Sequence, residues 1–171
     1  MSKAVFCIAT TEAQAEAIVS ELQAKGFSNN DISILFPDST GTNDFAHEKH
    51  TKAPEGATTG ASTGGVLGGA LGLLAGIGTL AVPGLGAFVA AGPLMGALSG
   101  AALGAAVGGI TGALMGMGVP EYEAKRYEGK LKEGNILISV HVESNKEKDL
   151  VKEVFKDADA GDISYMKEKA A

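Results

Sequence analysis

A chain of 171 residues is long enough for one domain with a sizeable core, and 45% hydrophobic and 20% charged residues at net charge −6 are ordinary averages. Their placement is not ordinary: every charged residue lies outside Gly56–Val119, a stretch of 64 residues that holds 20 of the 25 glycines. Both flanks are net acidic, which disfavours a nucleic-acid binder, the single Cys7 excludes a disulfide scaffold, and glycines that do not recur at every third position exclude collagen.

Met1–Ala15 carries one Lys and an apolar run too short for a secretory signal, so the chain is expected to begin in the cytosol. Ala4–Ala9 reads as a buried strand. Thr11-Glu12-Ala13-Gln14 fits a capping box, and the helix it opens is expected to bury Ala13, Ala17, Ile18 and Leu22 and to close at Gly26. Asp31–Phe36 reads as a second strand ended by Pro37. Residues 38–56, rich in Thr, Asp, Lys and His, look like a tether.

Within the neutral block (57–119), glycine recurs at every fourth position. The first run is Gly60, Gly64, Gly68, Gly72 and Gly76; the second is Gly92, Gly96, Gly100, Gly104, Gly108, Gly112 and Gly116. An interior helical glycine costs roughly 1 kcal/mol against alanine, so a dozen of them call for an offsetting interaction. Spacing of four aligns them on one side of a helix, where a second backbone can approach closely. Leu94, Leu98, Ile110 and Leu114 fall on another side. We therefore expect a glycine-zipper hairpin of two helices, Gly60–Leu80 and Gly92–Gly118, turning at Val82-Pro83-Gly84-Leu85-Gly86. Their lengths, about 31 Å and about 40 Å, suit a hydrocarbon core of about 30 Å. The bland alternative is a soluble assembly in which hairpins bury one another.

Pro120 and Glu121–Glu133 read as a connecting helix (120–133) with a solvated charged face, closed by Gly134. Ile136, Ile138, Val140 and Val142 alternate with Leu137, Ser139 and His141 as in a strand. Ser144-Asn145-Lys146-Glu147 is a second capping box, and its helix offers Leu150, Val151, Val154 and Phe155. Asp162-Ile163-Ser164-Tyr165 then mirrors Asp31-Ile32-Ser33-Ile34. The fold class expected is α+β: residues 1–37 and 134–171 form two βαβ halves of a ferredoxin-like sandwich, interrupted by the helical hairpin.

No residue set argues for catalysis, a metal or a cofactor, so an enzyme is not expected. Cys7 sits in an apolar strand without a basic neighbour and reads as a packed thiol. His47 and His50 in His-Glu-Lys-His lack further ligands, and His141 reads as a structural strand histidine. Gly76-Ile77-Gly78 and Gly84-Leu85-Gly86 lack the continuation of a phosphate loop.

The run from Phe45 through His47-Glu48-Lys49-His50 to Pro54-Glu55-Gly56, the ladder, and Gly118-Val119-Pro120-Glu121-Tyr122-Glu123-Ala124-Lys125-Arg126-Tyr127 resemble a bacterial family of general stress or heat-induced (YflT-like) and low-temperature-induced proteins. The resemblance covers nearly the whole chain and implies a stress-linked role with a membrane-type glycine-zipper segment. It implies no catalytic residues. The expectation is a non-enzymatic protein that self-associates through the hairpin on the cytoplasmic side of the inner membrane, with lipid and its own copies as partners and no nucleic acid. The other expectations are the soluble homo-oligomer and a regulatory small-molecule-binding module of ferredoxin-like fold.

Overall fold

The computed structural model describes residues 3–37, 78–82, 86–92 and 109–167. In chain order these hold β1 (Lys3–Ala9), α1 (Glu12–Ala24), β2 (Ile32–Pro37), β3 (Gly78–Val82), β4 (Gly86–Ala91), α2 (Gly109–Gly116), α3 (Glu121–Lys132), β5 (Ile136–Val142), α4 (Asn145–Asp157) and β6 (Gly161–Lys167). The class is α+β. The strands form one sheet in the order β3-β4-β2-β5-β1-β6, and every neighbouring pair is antiparallel.

Each β-α-β run straddles a strand of the other. β1 and β2 both pair with β5, while β5 and β6 both pair with β1. The flanks therefore meet, as the shortage of core in either alone requires. They do so by interleaving rather than as side-by-side parallel units.

Period-two alternation sorts the strands into two apolar faces. Val5, Cys7, Ile34, Ile138 and Val140 point to α1 and α4, joining Ile18, Leu22, Val151 and Phe155. Ala4, Phe6, Leu35, Phe88 and Leu137 point the other way, against Ile110 and Leu114 of α2 and Tyr127 and Leu131 of α3. The sheet is thus covered on both faces, giving three layers where the sequence suggested two.

The helix signals held at the ends and slipped in phase. Thr11 accepts from the Gln14 backbone N–H at 3.1 Å, but the Gln14 carboxamide reaches back to the N–H of Thr10 (2.8 Å) rather than of Thr11. Ser144 and Glu147 form the full reciprocal box. Ala13 and Ala17 are exposed, and Ala15 and Val19 take the buried positions beside Ile18 and Leu22. Alanine on both sides of that helix leaves its phase poorly marked. Leu150 is half-buried, while Val151, Val154 and Phe155 are fully inside.

The neutral block departs most from expectation. Residues 78–80, assigned to the first ladder helix, belong to β3. The expected turn connects two strands: β3 and β4 pair from Gly78↔Ala90 to Val82↔Gly86, and β4 continues onto β2 from Ile34↔Ala91 to Pro37↔Phe88. The second ladder helix does not begin at Gly92, which closes β4 with φ +76°. Among the described residues of that stretch helix covers Gly109–Gly116, and Gly109 itself has φ +78°, outside the helical range. The tether 38–56 with His47 and His50, and Gly60, Gly64, Gly68, Gly72, Gly76, Gly96, Gly100, Gly104 and Gly108, lie outside the described residues.

Candidate functional site

The neutral block meets the charged flank where α2 and α3 lie together on the sheet. α2 ends in a Schellman motif: Val119 N–H donates to the Leu114 carbonyl and Gly118 N–H to the Met115 carbonyl, both at 3.0 Å, with Gly118 at φ +103°. Gly118 reverses the chain, Val119 is buried, and Pro120 starts α3 where a missing N–H loses nothing.

The two helices share one apolar seam. α3 was read as a solvated face, yet Ala124, Tyr127 and Leu131, at spacings of three and four, are fully buried. Tyr127 stacks on Phe6 with ring centroids 5.9 Å apart and donates its hydroxyl to the Asp162 carbonyl at 3.0 Å. Burial pushes its phenol far above the ordinary range, so Tyr127 is a neutral donor at any ordinary pH. Beside it, the Arg126 guanidinium lies 3.1 Å from the Asp162 carboxylate, and α3 thereby grips the start of β6.

One polar contact crosses the seam. Glu128 Oε2 accepts from the backbone N–H of Thr111 at 2.9 Å and from its hydroxyl at 2.5 Å, while Oε1 lies 3.3 Å from Lys132 Nζ. Thr111 is buried. Desolvation raises the Glu128 carboxyl, but the Thr111 hydroxyl and N–H and then Lys132 outweigh it, so the net shift is below the usual glutamate range.

Of the ladder residues within the described segments, Gly92 sits under β2, where an added Cβ would meet the Ile32 carbonyl oxygen. Gly112 is half-buried and Gly116 exposed on the side of α2 turned from the core, and a Cβ on Gly116 meets nothing within 4 Å. The bulky stripe goes inward: Ile110 and Leu114 are fully buried.

No family model, curated protein or solved structure matches the chain. The residues must speak for themselves. Among the described residues no group of three His, Cys, Asp or Glu could hold a metal ion. Cys7 is buried and its thiol is driven well up by desolvation, which suits packing rather than nucleophilic chemistry. His141 is half-buried at the end of β5, its backbone N–H donating to the Asp31 carbonyl at 2.7 Å. A polar cleft of about 290 Å³ runs past it between Lys25, Asp31 and Glu147, just below the usual size of a ligand pocket. The Glu147 carboxylate there is already committed to the cap of α4.

The sequence reading missed Thr111, Tyr127 and Glu128. Ala124, Tyr127 and Leu131 were legible as a helical stripe. Thr111 and Glu128, 17 residues apart and on different helices, leave no local signal. Among the described residues no helix is long and apolar enough to cross a membrane.

Proposed function

We propose that this is a non-enzymatic, self-associating protein: a ferredoxin-like domain whose glycine-rich block joins copies of the chain at a membrane surface. The interleaved strand order β2-β5-β1-β6 supports the ferredoxin-like part, with β3 and β4 added beyond β2. The observation that carries self-association is how α2 sorts its residues. Ile110 and Leu114 go into the core while Gly112 and Gly116 face away from it. A helix face without side chains lets another backbone approach closely, and at Gly116 an added Cβ meets nothing within 4 Å.

Lipid contact is placed at the membrane surface, because among the described residues no helix is long and apolar enough to cross a membrane. The resemblance to stress-induced proteins makes a stress-linked role the natural setting. A soluble assembly is the second reading, favoured by the protein core that already surrounds Ile110 and Leu114.

Replacing Gly112 and Gly116 together with Leu should reduce the assembly to smaller species by native mass spectrometry, without loss of the fold. An unchanged mass distribution would overturn self-association through this face. Flotation of the wild-type protein with lipid vesicles separates the two settings, because a soluble assembly stays at the bottom of the gradient.

A further inference from the structure

We infer that Glu128 is a latch: from α3 it holds α2 on the sheet, and loss of its charge frees α2 to engage a lipid surface. The inference rests on the lipid contact proposed above.

The need for a latch starts in the sequence. The first turn of a helix leaves backbone N–H groups unpaired, and a carboxylate there satisfies them and the helix dipole together. Ala105-Ala106-Val107-Gly108-Gly109 offers no capping side chain ahead of α2, and the neutral block has no carboxylate at all. The charged flank supplies one. Glu128 Oε2 takes both the N–H and the hydroxyl of Thr111, so a single oxygen caps α2 and fastens it to α3.

The charged surroundings favour the ionised form. α2 brings no charged residue. Of the strands packed on α3, β2 carries no titratable residue and β5 carries His141. Of the others, β1 carries Lys3 and the buried Cys7, and β6 carries Asp162, Tyr165 and Lys167, with Asp162 paired to Arg126. On α3 itself Lys132 faces Glu128, while Lys125 is engaged by Glu121 at 2.7 Å. A carboxyl held below its usual range contributes docking that is present above the ordinary glutamate pKa. That contribution fades as pH falls through the lowered value, so protonation acts like deletion of the charge. Freed, Ile110–Met117 presents Ile, Leu and two Met with no charge, a segment suited to the boundary between headgroups and acyl chains.

The test compares wild type, E128A, T111V and T111S by amide hydrogen exchange and by flotation with phosphatidylcholine vesicles at pH 7. In E128A the amides of α2 should lose about ten- to a hundredfold protection, the usual worth of a hydrogen-bonded charge, while those of β1 and β5 keep theirs. E128A should float with a larger fraction of the vesicles than wild type does. T111S should match wild type, and T111V should fall between. Wild-type protection of α2 in E128A overturns the latch. Protection lost without a gain in flotation over wild type overturns its lipid half, whereas no flotation of either protein counts against the lipid contact itself. Should E128A also open β1 and β5, T111V carries the same comparison with the charge kept, and full protection of α2 there overturns the latch. Neither readout depends on oligomer size, so failure of self-association is seen separately.

Discussion

Glycine does two opposite jobs in this chain, and a matched pair of substitutions separates them. All four helices among the described residues end in the same pair of backbone bonds, with a left-handed residue at Gly26, Gly118, Gly134 and, for α4, Asp159. At Asp159 the motif forms without glycine: Ala160 N–H reaches the Phe155 carbonyl at 2.9 Å at the expense of φ +56°. Asp159→Gly should therefore stabilise the fold by about 0.5–1 kcal/mol in urea unfolding, the left-handed penalty less the extra chain entropy of glycine. Gly92→Ala should do the reverse, costing roughly 2–4 kcal/mol, because φ +76° is strained for alanine and its Cβ would collide with the Ile32 carbonyl. Gly129→Ala, in α3 with nothing within 4 Å of the new methyl, should gain up to about 1 kcal/mol. Gly26 and Gly134 were legible as helix ends from the sequence. Gly92 was not, since a spacing of four records position and is silent about φ.

At the scale of elements, the helix-to-strand correction at 78–91 has a visible cause. The ladder lapses between Gly76 and Gly92, with Leu80 and Phe88 on the fourfold positions, and there Thr79, Val82, Phe88 and Val89 flank Pro83-Gly84. Two short β-favouring runs around a turn were present; the stronger count on either side outweighed them. For α2, Leu114→Ala should destabilise the protein by about 2–5 kcal/mol in water without lipid, because Leu114 is a fully buried residue of the core cluster that also holds Tyr127. A near-zero effect in thermal unfolding would mean that α2 is not docked in solution. The Glu128 contact adds a pH dependence of known sign. Its stabilisation is complete above the ordinary glutamate pKa and lost in acid as pH drops through the lowered value, and E128Q should flatten that part of the stability profile.

For the molecule as a whole, the internal repeat was readable and the strand order was not. Asp31-Ile32-Ser33 and Asp162-Ile163-Ser164 announce two equivalent strands, but nothing local says that β5 lies between β1 and β2. Pairing partners more than a hundred residues apart are chosen by packing, which leaves alternation in each strand and no address. Because neither half contains its own neighbours, a fragment ending at Pro37 should show no protected β1 amides in hydrogen exchange, and persistent protection would contradict the interleaving. That same interleaving dictates a timetable. On the ribosome β1 waits for β5, whose register runs from Lys3↔Val142 to Ala9↔Ile136, and α2 is finished before α3 and β5 have been made. The uncharged stretch thus leaves the exit tunnel ahead of the surface that shelters part of it. Throughout that interval Ile110 and Leu114 of α2 are without Tyr127 and Leu131, the side chains that complete their core cluster in the finished fold.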